Sequence, residues 1–379
     1  MKAGSTAIAV LASLIFVFLV ISVPLVIRQH YILSFSHRNE GRVKIVPLPV
    51  TNQQDKNRSY QGVKVKAAIL YLIELRDPRR LRSLEISLRY LYSNFLCRHS
   101  QYPVYLFYEA KDAAYLTQRW MARFRNAVRR ARPSHGSFKA GLQQGSMSVL
   151  HFYEIAGFDE IPPSVQNMSI PSQFIGRTKN YTMGYRFMCR FWARTVFMQP
   201  AVSELEYYWR FDTDSFLLCR VDFDPFVWMK DSSLAYVYGP TQIDDIWYIN
   251  GLWDVVLDHM SKKNIHPRNL MLLANYRDDR IRTMPLDSAL MHLRAIGYSG
   301  YSFYNNFELS RTDLWRSEAY ADLFRSVDDS GGIFLGRWGD APIRTIALSA
   351  LQDAFAEMMS TTEYIAQMPD LCYKHSFEQ

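Results

Sequence analysis

Acidic side chains stand beside aromatic or glycine-rich runs at three places along the chain, and their chemistry frames everything else. Tyr207-Tyr-Trp-Arg-Phe-Asp-Thr-Asp-Ser is an apolar run of strand length that ends in Asp212 and Asp214. Side chains two apart on an extended backbone point the same way, so both carboxylates can face one ligand. At the C-terminal end of a strand in an open α/β sheet they stand where ligands bind. Hard oxygen donors of this kind suit a divalent cation bridging a diphosphate, although Asp-x-Asp is equally the sequence of a solvated turn. In Tyr304-Asn-Asn-Phe-Glu308-Leu, a Glu among aromatics and amides is either half-buried with an altered pKa or an ordinary surface or capping residue. A carboxylate beside an anomeric carbon favours an oxocarbenium-like state, which gives the first alternative its interest. In Gly331-Gly-Ile-Phe-Leu-Gly-Arg-Trp-Gly-Asp340-Ala-Pro-Ile-Arg, Asp340 reads first as a helix N-cap and second as a base on an acceptor hydroxyl. Near the end of the chain, His375 in Cys372-Tyr-Lys-His is either an exposed tail residue or a metal ligand.

The elements that must position these groups read as one sheet-cored α/β domain. Val65-Lys-Ala-Ala-Ile-Leu-Tyr-Leu-Ile has buried-strand length, and Asp77-Pro78 opens a helix with Leu81, Leu84, Leu88 and Leu91 on one face. Tyr102–Tyr108 is a second strand and Lys111 to Arg132 a basic amphipathic helix, so strand and helix alternate as in a parallel sheet. Residues 133–147 read as a Gly/Ser/Gln-rich loop. Further strands fall at 148–154, 206–211 and 234–239, and helices at 184–198 and after Asp340.

The chain's 379 residues are 49% hydrophobic and 21% charged, which excludes wholesale disorder, and carry a formal charge of +8. That balance favours an anionic partner, and no metal-knuckle or RNP-like pattern points to nucleic acid. Residues 6–27 hold no charge and have the length of a membrane-crossing helix, longer than the apolar core of a cleaved signal peptide. Residues 28–65 form a polar stem. The sequons at Asn57, Asn167 and Asn180 are usable only in a lumen. The four cysteines, Cys97, Cys189, Cys219 and Cys372, allow one or two bridges without assigning them.

These segments, in this order, resemble the fungal-type GDP-mannose-dependent α-1,2-mannosyltransferases of glycosyltransferase family 15. Met188-Cys-Arg-Phe-Trp resembles the family's M-C-R-F-[WYF], Tyr207-Tyr-Trp-Arg-Phe-Asp-Thr-Asp its Y-W-R-x-E-P-D, and Asn306-Phe-Glu-Leu its N-F-E-I. The most specific match is Gly331-Gly with Arg337-Trp-Gly-Asp-Ala-Pro-Ile, and the likeness spans roughly residues 66–379. The resemblance implies a glycosyltransferase-A-like mixed sheet with flanking helices behind a single transmembrane helix. It further implies a type II Golgi membrane protein with a luminal catalytic domain, and configuration-retaining mannosyl transfer from GDP-mannose with Mn²⁺ to a mannose-containing glycan. By position it assigns Asp212, Asp214 and His375 to the metal, and Tyr185, Arg190, Asp212, Asp214 and Arg76 to the nucleotide-sugar. Glu308 becomes the nucleophile or front-face stabiliser, and Asp340 the base. The sequence departs from the family at Asp212 (Glu in the family), Thr213 (Pro), Gly336 (Glu), Arg344 (His) and Cys372 (Gly). A related enzyme with another nucleotide-sugar, or a non-catalytic glycan-binding or assembly homologue, stays open on these residues.

Overall fold

Strand β1 (Ala67–Leu72) is buried along its length, and Asp77 ends the turn after it by accepting a hydrogen bond from Arg79 N–H at 2.8 Å. This cap, with Pro78 at the first helical position, starts helix α1 (Pro78–Leu91). Leu81, Leu84, Leu88 and Leu91 face inward against Ile69, Tyr71, Trp209 and Phe211. Each such buried side chain stabilises the fold by about 1.5–3 kcal/mol. The computed structural model describes residues 65–131, 150–175, 180–359, 365–368 and 373–375. The apolar run 6–27, most of the 28–65 stem, the 133–147 loop, Asn57 and Cys372 lie outside the described residues. No helix among the described residues is long and apolar enough to cross a membrane.

The other strands in chain order are β2 (Val104–Glu109), β3 (Leu150–Ile155), β4 (Gln173–Ile175), β5 (Asn180–Thr182), β6 (Tyr207–Phe211) and β7 (Ser215–Leu217). They are followed by β8 (Tyr236–Tyr238), β9 (Thr241–Ile243), β10 (Tyr301–Phe303), β11 (Leu309–Arg311), β12 (Ile365–Gln367) and β13 (Tyr373–His375). Seven of them form the central sheet in the order β12-β8-β11-β6-β1-β2-β3. The pairs β6·β1, β1·β2 and β2·β3 are parallel, as strand–helix alternation leads one to expect. β11, however, runs antiparallel to both β6 and β8, so the sheet is mixed.

Helix α2 (Gln118–Arg130) starts later than its basic pattern suggests, because Thr117 caps it and Ala110–Tyr115 form a 3₁₀ turn. Helix α3 (Met183–Ala193) is likewise shorter than the 184–198 expected; a separate 3₁₀ turn takes Thr195–Met198. Of the remaining helices, α4 (Glu318–Asp329) and α5 (Asp340–Ala350) bear on the site. Cys219 is disulfide-bonded, whereas Cys97 and Cys189 carry free thiols.

Candidate active site

β6 delivers side chains to two different environments. Tyr207, Trp209 and Phe211 enter the apolar core, while Tyr208 and Arg210 point to the opposite face, as the period of a strand requires. Arg210 is fully buried, lies 4.3 Å over the Trp192 ring, and spends its guanidinium on two acids. Its Nη1 donates to Asp340 Oδ2 at 2.6 Å, and its Nε and Nη2 donate to Asp212 Oδ1 at 3.3 and 3.2 Å. Burial alone would weaken the cation, but Asp212 and Asp340 outweigh it and hold its pKa above the usual value.

Asp340 also accepts from Asn305 Nδ2 at 2.8 Å. It is the first residue of α5, with Gly339 at the cap position, so it is not the N-cap that its local sequence suggests. The side chain turns to Arg210 and Asn305 instead, leaving its negative charge at the favourable end of the helix dipole.

Asp212 and Asp214 do not continue the strand. A turn closed by Ser215 N–H to Asp212 C=O at 3.0 Å replaces the extended geometry that would put both carboxylates on one side. Each is held by a different arginine. Arg80, from the first turn of α1, donates to Asp214 Oδ2 at 2.8 Å. Asp212, with its side chain 27% exposed, is the more open of the two. β13 pairs antiparallel with β7 and sets His375 opposite Ser215, the residue after Asp214. Asp212 and Asp214 are hard oxygen donors of the kind that suits a divalent cation, and the backbone of β13 runs beside the segment that follows them. Among the described residues no group of three or more His, Cys, Asp or Glu side chains is preassembled around a cation position.

Glu308 sits elsewhere than beside an open cleft. It is 0% exposed; Tyr208 Oη donates to its Oε1 at 2.8 Å, Tyr236 Oη to its Oε2 at 2.9 Å, and Arg344 Nη1 to Oε1. Arg344 is itself fully buried, 3.8 Å over the Trp315 ring. Burial opposes its charge, and Glu308 more than restores it. Burial also lifts the Tyr208 and Tyr236 hydroxyls well above their ordinary pKa, so both remain neutral donors. The half-buried Glu expected from its aromatic neighbours is therefore a sealed one. In this conformation no sugar carbon can reach either oxygen.

Beyond Asp340 the site continues in residues that sequence reasoning missed. Asp244 accepts from Ser302 Oγ at 3.0 Å and lies 3.8 Å from Arg337 Nη1. Its pKa is raised, first by burial and further by Asp340, while Arg337 opposes the shift. Arg337 adopts left-handed backbone (φ 59°) and donates to Tyr185 Oη at 3.1 Å, so Tyr185 does reach the site. Asp244 stands in Gln-Ile-Asp-Asp without a flanking pattern, so nothing local singles it out.

The two arginines assigned to the nucleotide-sugar fare differently. Arg190 makes a bidentate pair with Asp328 at 2.8 Å on both arms, which ties α3 to α4 and takes it out of the site. Arg76 follows β1 at the C-terminal edge of the sheet and is half exposed, though its Nε holds Asp112 at 2.6 Å. Within the Met-Cys-Arg-Phe-Trp segment, Trp192 supports Arg210. Just before it, Arg186 bonds the carbonyls of Phe334, Pro171 and Ser172. Burial pushes the Cys189 thiol up to about 12, which makes it inert.

The sequence profile of the glycolipid 2-alpha-mannosyltransferase family matches residues 37–377. The chain belongs to this family. Among its relatives, O-glycoside alpha-1,2-mannosyltransferase omh1 of Schizosaccharomyces pombe is 34% identical over 171 residues, 45% of this chain and 40% of omh1. Probable mannosyltransferase KTR3 of Saccharomyces cerevisiae is 25% identical over 334 residues, 88% of this chain and 70% of KTR3. The match thus spans less than half the length of omh1. Core-mannan synthase A (CmsA/Ktr4) of Aspergillus fumigatus, solved in a Mn/GDP form, superposes with a TM-score of 0.62 at 23% identity over 84% of this chain and 76% of that one. Ktr4p of S. cerevisiae in complex with GDP gives 0.63 at 20% identity over 92% and 80%. This family member shares their mixed α/β fold with its parallel-rich central sheet.

Proposed function

We propose that this family member transfers mannose from GDP-mannose to a mannose hydroxyl of a glycoprotein or glycolipid glycan, forming an α-1,2 linkage with retention. The observation that carries the reading is one buried guanidinium, Arg210, holding Asp212 and Asp340 together where β6 ends. Asp212 and Asp214, with His375 on the neighbouring strand, would hold Mn²⁺, as the Mn/GDP form of CmsA suggests. A bound divalent ion supplies Lewis-acid stabilisation of charge on a leaving diphosphate.

The chain's own residues do the rest. Asp340 takes the proton of the acceptor hydroxyl on its carboxylate, which Arg210 holds in place at 2.6 Å. Glu308, with both oxygens engaged, is a positioning residue. It lies across the strand pair from Arg210, whose N–H donates to the Glu308 carbonyl at 3.0 Å, and it neutralises Arg344 behind the site. Retention then follows a front-face route, with the acceptor entering on the leaving-group side, because that route needs no protein nucleophile. We place the domain in the Golgi lumen behind a type II anchor at residues 6–27. A disulfide at Cys219 and the exposed sequons Asn167 and Asn180 support that placement.

The test is Mn²⁺-dependent transfer to methyl α-mannoside by the wild type and Asp214→Asn. Transfer from GDP-mannose that collapses in the variant is the expected result. Preference for a uridine donor sinks the donor assignment, and binding without turnover sinks the enzyme.

A further inference from the structure

An exposed indole and two exposed isoleucines stand on segments adjoining the site. Trp247 is 82% exposed, Ile175 77% and Ile246 57%, and they sit on two segments joined by a hydrogen bond from Tyr248 Oη to the Ile175 carbonyl at 2.7 Å. Several apolar side chains exposed together mark a binding surface more often than an accident of packing.

The segment that carries them is held firmly. Asp244 N–H donates to the Gly300 carbonyl at 2.8 Å. Gly300 has φ +78°, and a Cβ there would lie 2.6 Å from the Asp244 carbonyl oxygen, so the approach requires glycine. Asp245 Oδ1 accepts from Trp247 N–H at 3.2 Å, and Trp338 Nε1 donates to the Asn250 carbonyl at 2.9 Å. A pinned segment that leaves an indole in water is preorganised for a ligand.

The platform is continuous with the site. Arg337 lies 4.0 Å over the Tyr181 ring and 5.0 Å over the Tyr248 ring, and it reaches Asp244 at 3.8 Å on the Asp340 side. Arg337 is 7% exposed, and its Nε has no partner among the described residues.

We propose that Trp247, flanked by Ile175, is an acceptor subsite that stacks the saccharide residue next to the one receiving the transfer. This rests on the transferase reading above. A hexose ring presents an apolar C–H face edged by hydroxyls, which matches an exposed indole on a segment that also carries the Asp245 carboxylate and whose next residue, Tyr248, lies against Arg337. The shape selects an acceptor longer than a monosaccharide.

The test is calorimetric titration of the detergent-solubilised full chain with α-mannotriose, methyl α-mannoside and octyl α-mannoside, for the wild type, Trp247→Ala and Trp247→Phe. Mn²⁺–GDP affinity serves as the folding control. Mannotriose should bind at least about tenfold more weakly to Trp247→Ala, with Trp247→Phe in between. Methyl α-mannoside should be affected far less. Equal mannotriose affinity in all three proteins overturns the subsite. Loss for octyl mannoside without loss for mannotriose also overturns it, because the platform then holds an apolar aglycone. Saccharide binding by a chain that never turns over GDP-mannose overturns the transferase reading and leaves the platform standing.

Discussion

Two arginine–carboxylate networks meet at β6, and they differ chiefly in their access to water. In one, Arg344 and Glu308 are both 0% exposed and closed off by Tyr208, Tyr236 and Trp315. In the other, Arg210 is just as deeply buried, but one of its two acids, Asp212, opens to solvent. The residue types are alike, so composition does not separate a structural pair from a reactive one. A buried charge pair shut off from water by aromatic side chains is out of a substrate's reach. A buried cation with one of its two acids open to solvent orients them for one.

Substitutions that break this comparison should sort by size. Asp340→Asn should reduce mannosyl transfer about 10²–10⁴-fold, the range for a lost general base, with the fold intact by circular dichroism. Asp214→Asn, or chelation of the metal, should raise the Mn²⁺ required for half-maximal activity and lower turnover. Unaltered metal dependence in Asp214→Asn would remove it from the metal set.

Next in size comes the sealed network. Glu308→Gln and Arg344→Ala each strand one buried charge and should each cost about 3–5 kcal/mol in denaturant unfolding. The double variant Glu308→Gln/Arg344→Met should cost less than the sum of the singles, since no charge is left alone. If Glu308→Gln instead keeps its stability and loses all turnover, Glu308 touches the sugar and the comparison fails.

A smaller effect concerns pH. Asp244 has a raised folded pKa, so its contribution to stability is fully present below its unfolded value near 3.8 and is lost as pH rises through the folded value. Thermal unfolding of Asp244→Asn should show a flatter pH profile over that interval. The smallest effect concerns the disulfide. Cys219 is bonded, whereas Cys97 and Cys189 are free. Non-reducing peptide mapping should therefore find the Cys219 peptide in a disulfide and the Cys97 and Cys189 peptides free to alkylate. Reduction should weaken Mn²⁺ binding a few-fold.

Much of the frame was legible before any coordinates. The Asp77-Pro78 start of α1 and the β1, β2 and β6 runs have signals contained in a few adjacent residues, and all appear within a residue or two of expectation. Departures came where a neighbour decides. β11 is too short to announce its direction, and its antiparallel insertion depends on pairing with β6 and β8. Asp340 looked like a cap because Pro342 follows it; Arg210, 130 positions away, turned its side chain elsewhere. Arg190 looked available to a phosphate until Asp328 claimed both of its arms. Arg80 and Asp244 carry no local signal for their roles, and Arg337, although it opens the most specific motif, acts through Asp244 and Tyr185, both remote in sequence.

By itself the sequence determined the strand and helix periodicity, the identity of the acidic groups and the family to which the chain belongs. These depend on side-chain type and short-range spacing, which the chain carries wherever it folds. Only the tertiary structure decided which carboxylate is sealed, which faces water and which arginine each one meets. Desolvation and charge pairing act through space, and the residues that settle them are brought together by the sheet.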